Sequence, residues 1–250
     1  MWPYRATKEL IQVGYEPVDG PSPRLVPKTA IEHVLEAMRL GGADRAFIVL
    51  SPVKWEVFRY LGAGERLQLQ LTYLCQEKPL GMPVALDLAR PFLGDATVCF
   101  GMPDTIVSPS DCFAKLLAFH EARGADVSLG VFNTDQPREL APVLLDPDTG
   151  RVLDIVDKPE EPPVANTWGI AVWSPAFTEL LGEFVAAGGG DGMPELLLSD
   201  AFLSAVSAGL SVYGLSFPDS TYHDIGTPAG LMRTRAVMEG HHHRLEQIVG

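Results

Sequence analysis

Two aspartates stand where a carboxylate serves phosphate chemistry. Asp104 lies in Gly101-Met102-Pro103-Asp104-Thr105, directly after the apolar run Thr97-Val98-Cys99-Phe100, and Asp224 lies far along the chain in His223-Asp224-Ile225-Gly226-Thr227-Pro228. Each reads as a carboxylate at a strand end. A pair of such groups suits a magnesium-dependent reaction on a nucleotide, because Mg2+ takes oxygen ligands, keeps several waters and uses one or two carboxylates beside phosphate oxygens. The competing reading makes both residues helix caps, Asp104 for a helix beginning near Ser108 or Pro109 and Asp224 for one entered at Thr227-Pro228.

The elements that must position this pair alternate from Pro27 onward. Ile31, Val34, Leu35 and Met38 recur at helical spacing and Gly41-Gly42 stops them. Segment 46–50 reads as a strand, 55–61 as a helix ended by Gly62, 69–75 as a strand, 82–93 as a helix, 96–100 as a strand and 109–123 as a helix. That rhythm predicts an α/β fold with a mostly parallel mixed sheet flanked by helices, and places ligands at the carboxyl ends of the strands. Beyond Asp126 the rhythm changes: 127–132, 143–146, 152–157 and 168–173 are strands without intervening helices, and Pro147-Asp148-Thr149-Gly150 makes a hairpin turn. Helices at 175–187 and 194–208, a strand at 212–217 and a last helix from Pro228 complete one domain. Segment 15–28, with Pro17, Gly20, Pro21, Pro23 and Pro27, is expected to be an extended, solvated loop, the competing reading being a cover over the cleft that brings Arg24 and Lys28 to phosphate.

Composition narrows the partners. With 46% apolar and 20% charged residues the chain fills a core and is not disordered. A net charge of -13 excludes a broad phosphate-tracking surface, so no nucleic acid is expected, whereas small phosphorylated ligands need only a few local cations. Cys75, Cys99 and Cys112 are too few and scattered for a disulfide framework or zinc knuckle, which fits a reducing, cytoplasmic setting. The weakly charged stretch 196–217 carries Asp200, Gly209 and Gly214, and its apolar spacing predicts a helix followed by a strand, not a membrane span. Gly188-Gly189-Gly190-Asp191-Gly192 lacks the Lys-Ser or Lys-Thr of a phosphate loop and reads as linker, and His241-His242-His243 reads as exposed helix surface. There is no Gly-x-Ser-x-Gly elbow and no His-Glu-x-x-His helix to support a hydrolase.

Lys8-Glu9-Leu10, Ile31-Glu32-His33-Val34-Leu35, Gln76 with Pro79-Leu80-Gly81, Pro103-Asp104-Thr105, Gly150-Arg151-Val152, Asp157-Lys158-Pro159, Leu198-Ser199-Asp200-Ala201 and Asp224-Ile225-Gly226-Thr227-Pro228 follow one another in an order and spacing that together form a strong signal. In these landmarks the chain resembles the sugar-1-phosphate nucleotidyltransferases, especially the glucose-1-phosphate thymidylyltransferase and uridylyltransferase-like branch, from about Lys8 to Leu231. The resemblance implies a Rossmann-like nucleotide-diphospho-sugar transferase fold, with 1–125 as the nucleotide half and 126–250 as the sugar-phosphate half. It implies transfer from dTTP or UTP to a sugar 1-phosphate with release of pyrophosphate, Mg2+ as cofactor, and self-association as is common in the family. By position it assigns Asp104 and Asp224 to the metal and Lys8 to catalysis. It assigns Gln76, Pro79 and Gly81 to the base, and Asp157, Lys158, Trp168 and Gly169 to the sugar phosphate. Asp157 replaces the more usual glutamate, Met82 a usual small hydroxyl residue, and core packing is the competing role of Trp168.

The resemblance also implies a strand and a glycine-rich loop ending in arginine ahead of Met1-Trp2-Pro3, with the strand central between 46–50 and 96–100. The expectation is therefore an N-terminally shortened form of impaired activity. Two alternatives stay open: a non-catalytic nucleotide-sugar-binding or regulatory protein of the same fold, and a metal-dependent glycosyltransferase, although residues 101–105 offer one carboxylate in place of Asp-x-Asp.

Overall fold

The structure, a computed structural model, describes residues 7–18, 24–188 and 194–249; the side chains of 17–18 and 239–249 lie outside the description. In chain order the elements are β1 (Gln12–Val18), β2 (Arg24–Thr29), α1 (Ala30–Leu40), β3 (Arg45–Leu50), α2 (Trp55–Leu61), β4 (Gln70–Cys75), α3 (Met82–Asp87), α4 (Arg90–Leu93), β5 (Val98–Gly101), β6 (Thr105–Ser108) and α5 (Cys112–Arg123). There follow β7 (Val127–Asn133), β8 (Val143–Leu145), β9 (Val152–Ile155), β10 (Asn166–Trp173), α6 (Pro175–Gly188), α7 (Leu198–Ser207), β11 (Val212–Phe217), β12 (Thr221–Asp224) and α8 (Pro228–Val249).

Local chemistry sets these boundaries. The Glu32 carboxylate accepts from both the amide and the hydroxyl of Thr29, each at 2.7 Å, which satisfies a free donor at the start of α1. Gly41 ends that helix, its amide returning to Ala37 O at 3.0 Å. A Cβ on Gly41 would stand 2.9 Å from Phe113 Cβ, so the glycine also lets α1 and α5 pack closely.

The sheet is mixed. β11, β7, β10 and β5 lie side by side, with β7 parallel to β11 and antiparallel to β10, and β10 antiparallel to β5. β3 and β4 form a separate parallel pair, and β8 and β9 the hairpin expected around Pro147-Gly150. Helices cover both faces. Ala171 and Trp173 of β10 join Phe177 of α6 and Phe202 of α7 in one core, while Ile170 and Val172 join Val34 of α1 and Phe113 of α5 in the other. That split is the two-residue period of a strand buried on both sides.

Several sequence expectations are corrected. Within segment 15–28 the described residues are not loop, since 15–18 lie in β1 and 24–28 in β2, while 19–23 lie outside the description; β1 and β2 pair antiparallel, with Pro27 opposite Tyr15, and this ribbon tolerates proline because, among the described residues, each strand keeps an unpaired edge. Lys28 is 8% exposed and bound to Glu36, with Glu16 at 3.7 Å, so it holds the hairpin to α1 instead of facing phosphate. The helix expected at 82–93 breaks into α3 and α4, because Pro91 has no amide to continue the first helix. The helices expected from 109 and 194 begin at Cys112 and Leu198; β6 and an isolated bridge from Leu196 to Gly81 take up chain nearby. Four-residue strands β6 and β12 were not anticipated. Segment 196–217 is α7 then β11, and no helix among the described residues is long and apolar enough to cross a membrane. Residues 1–6 and 189–193, including most of the glycine run, lie outside the description, while His241, His242 and His243 fall on the backbone of α8.

Candidate active site

The pairing of β6 with β12 brings the two distant aspartates together. Asp224 is opposite Thr105 in that ladder, and the Ile225 amide donates to Asp104 O at 3.0 Å. Their carboxylates converge on the space beside Gly226. A Cβ there would lie 2.8 Å from Asp224 Oδ1 and 3.2 Å from Asp104 Oδ2. The Gly226 amide donates to Asp224 Oδ1 at 2.5 Å, an Asx-type turn that aims the carboxylate. Neither aspartate caps a helix: α5 starts eight residues past Asp104 with Asp111 at its N-cap position, and at the start of α8 it is Thr227 Oγ1 that accepts from the Gly230 amide, at 3.0 Å.

Lys8 forms an ion pair with Asp104 Oδ2. Burial works against its charge, but Asp104, Glu9 and Asp224 outweigh that and raise its pKa. Asp224 is pushed the other way from a normal carboxylate: burial raises its pKa most, and the Asp104 charge adds to this, while the Gly226 amide and Lys8 oppose it. Two part-buried carboxylates competing for one lysine form a site that favours an added cation. The donor set is hard oxygen, and the absent Cβ of Gly226 keeps the space between them open. The residues fit Mg2+, with the remaining ligands drawn from water or phosphate, since among the described residues no cluster of three or more His, Cys, Asp or Glu side chains surrounds a single point.

A cavity of about 280 Å³ adjoins Asp224 and is lined by Asn133, Glu139, Leu140, His223, Thr227 and Arg233, among others. It borders the hairpin end that carries Lys158. That residue has φ +47, a left-handed conformation costing about 1 kcal/mol or more for a residue with a side chain, and its amide is tied to Leu140 O at 2.8 Å. Asp157 and Lys158 are both exposed.

Gln76 and Gly81 meet at the end of β4, where the Gln76 side-chain amide donates to Gly81 O at 3.1 Å, and Pro79 is exposed on the loop between them. Gly81 has φ +104, and a Cβ would lie 2.2 Å from Leu196 O, so its close backbone neighbour is the α7 leader. Trp168 is 4% exposed, packs against Phe100 and Phe202 and donates to Ser199 Oγ at 3.2 Å. It belongs to the core and offers no plane to a sugar. Gly169 is the extra residue of a β-bulge, because Trp168 and Ile170 pair with the adjacent residues Val131 and Gly130. A Cβ at Gly169 would lie 2.6 Å from the Tyr222 ring, two residues from Asp224.

Direct contacts join these residues in three groups: Lys8 with Asp104 beside Asp224, Gln76 with Gly81, and the sequence neighbours Asp157 and Lys158, whose amide partner Leu140 lines the cavity next to Asp224. Sequence reasoning did not single out Gly226, Glu139 or Tyr222. The Asp-x-Gly spacing signalled the first; the other two owe their places to tertiary contact.

Comparison with known proteins adds the following. A family model described as Nucleotidyl transferase matches residues 22–239. The low-salt glycan biosynthesis nucleotidyltransferase Agl11 of Haloferax volcanii is 24% identical over 224 residues, 88% of this chain and 60% of that protein. A glucose-1-phosphate thymidylyltransferase of Streptomyces griseus is 29% identical over 193 residues, 76% of this chain and 52% of its own. The chain thus spans only part of the length of these relatives. Among solved structures, a putative glucose-1-phosphate thymidylyltransferase from Bacillus anthracis in complex with a sucrose superposes with a TM-score of 0.77 at 19% identity, covering 92% of this chain and 86% of that one. That likeness shows the fold, a Rossmann-like mixed sheet flanked by helices.

Proposed function

The chain belongs to the nucleotidyl transferase family, and on that premise we propose that it serves nucleotidyl transfer from a nucleoside triphosphate, dTTP or UTP, to a sugar 1-phosphate. A phosphate oxygen of the sugar 1-phosphate bonds to the α-phosphorus, the bond from that phosphorus to the bridging β-phosphate oxygen breaks, and pyrophosphate leaves with its electron pair. The observation that carries this reading is the convergence of Asp104 and Asp224 on the space beside Gly226, with Lys8 on one carboxylate.

Mg2+, held by Asp104 and Asp224, would neutralise charge on the triphosphate oxygens. The protein's own part is alignment and charge, which dominate phosphoryl chemistry. Lys8 fixes the rotamer of Asp104 and adds a positive charge beside the reacting phosphates. Lys158, on its strained backbone, offers a point cation to the sugar-linked phosphate, and Asp157 a carboxylate to sugar hydroxyls. Gln76 presents an amide that can pair with the carbonyl and imide edge of uracil or thymine, once released from Gly81 O.

The test is isotope exchange of pyrophosphate into dTTP and UTP, with glucose 1-phosphate and mannose 1-phosphate as acceptors in the forward direction. Gly226→Ala fills the space between the carboxylates and is expected to cut exchange by about a hundredfold or more and to weaken Mg2+ binding measured directly by calorimetry. Magnesium binding that survives both Gly226→Ala and Asp104→Asn would remove this pair from the site. Capture of dTDP-glucose without any exchange would instead identify a binding protein of the same fold.

A further inference from the structure

Lys8 sits on a short 3-10 turn, Lys8–Leu10, closed by Leu10 N to Thr7 O at 3.0 Å and Ile11 N to Lys8 O at 3.1 Å. Both neighbours of Lys8 are tied to the start of α2. The Thr7 amide donates to Glu56 Oε1 at 3.0 Å, and Lys54 Nζ donates to Glu9 Oε1 at 2.5 Å. Lys8, between them, reaches Asp104. Residues on either side of Lys8 are thus gripped by residues on either side of Trp55.

The two grips differ in strength. Glu9 is 5% exposed and Lys54 supplies its cation. A buried carboxylate that loses its partner is strongly destabilising, so this bond is the costly one to break. The bond from Thr7 to Glu56 is exposed and weaker. The base of the grip is firm: Val57 and Leu61 of α2 are buried in one core with Leu50 of β3, and the Lys54 amide returns to Ser51 O at 3.0 Å. Leu50 O also accepts from the Gln76 amide at 2.8 Å, so the strand end that sets Lys54 also sets the proposed base contact.

We infer that Lys54, with Glu9 and Glu56, is a positioning residue for Lys8: the first turn of α2 fixes the backbone from which Lys8 reaches Asp104 and the reacting phosphates. Lysine carries its charge on a flexible stem whose ordering costs up to about 2 kcal/mol, and a fixed base leaves less of that freedom to lose. Lys54 acts through Lys8 and not on substrate. The inference rests on the role proposed for Lys8, but the grip itself is measurable without any reaction.

Competitive acetylation with limiting acetic anhydride, read by peptide mass spectrometry, reports how free each lysine amine is. Asp104→Asn sets the rate for a Lys8 without its partner, and Lys115, exposed on α5, is the internal standard. Lys54→Met should raise Lys8 labelling severalfold, toward the Asp104→Asn value, and Glu56→Ala should raise it less, while Lys54→Arg stays close to the parent. Parent-like labelling of Lys8 in Lys54→Met overturns the inference. A rise in Lys54→Arg as large as in Lys54→Met overturns it too, because the cation on Glu9 would then not be what holds the turn. Lys54→Met leaves Glu9 buried and unmatched; should that chain not fold, Lys54→Met with Glu9→Gln removes both charges and takes its place.

In a chain that exchanges pyrophosphate, Lys54→Met should lower kcat about tenfold or more and leave KM for the nucleotide nearly unchanged. An unchanged kcat, whether or not KM rises, overturns the inference. A parent chain without exchange counts against the proposed reaction and leaves the labelling to judge the grip.

Discussion

The middle of the sheet and its β3–β5 side are written in the same residues and packed very differently. β7 reads Val-Ser-Leu-Gly-Val-Phe-Asn and is buried from Val127 to Phe132, with Val127 and Leu129 inaccessible. β3 reads Arg-Ala-Phe-Ile-Val-Leu, at least as apolar, yet Ala46, Phe47, Ile48 and Val49 are only half-buried and all of β5 is the same. Both regions carry helices on their faces. The difference is lateral: among the described residues β7 has β11 and β10 on its two edges, whereas β3 and β5 each have one strand neighbour. Face patterning thus determines what a strand can bury, and edge pairing determines what it does bury.

The largest effects expected from substitution follow from that contrast. Phe202→Ala, at a fully buried ring stacked on Phe177, should cost about 3–5 kcal/mol by urea unfolding. Phe47→Ala, at a half-buried ring whose nearest aromatic partner Phe92 is 6.2 Å away, should cost about 1 kcal/mol. Equal costs would break the comparison.

The same distinction explains what was legible in the sequence. α1, β3, α2, β4 and β11 were readable within a residue or so, because periodic apolar residues and terminal glycines report faces and ends. β6 and β12 were not, since four residues carry too little alternation. The β1–β2 pairing was hidden by Pro17 and Pro27, which signal a loop until one sees that, among the described residues, each strand has an edge without strand partners. At the site, the two carboxylates were legible from Pro103-Asp104-Thr105 and Asp224-Ile225-Gly226, but the ladder that joins them was not. Trp168 shows the limit from the other side: the residue type suits a sugar, and only the core around it decides otherwise.

Gly169→Ala tests how far the closed region governs the site. The added methyl would meet the Tyr222 ring at 2.6 and 2.7 Å, and that ring already packs against Phe132, with centroids 5.9 Å apart. Overpacking of this depth costs about 1–3 kcal/mol, and because β12 carries Asp224, Mg2+ affinity should fall with it. A variant that loses stability while binding Mg2+ as before would show that the bulge serves packing alone.

The smallest expected effect concerns the joint between the hairpin and α1. His33 Nε2–H donates to Val13 O at 2.6 Å, and burial, with Lys28 adding to it, lowers its pKa to about 4. The unfolded chain binds this proton near the ordinary value of 6.5, so between about pH 6.5 and 4 it holds more protons than the folded one. The stability contributed by neutral His33 is therefore complete above that window and is lost as pH falls through it, by about 1–2 kcal/mol between pH 7 and 5. His33→Gln keeps a donor for Val13 O and removes the titration. Its urea midpoint should vary less with pH across this window than that of the parent, and parallel pH curves for the two would place the acid sensitivity elsewhere.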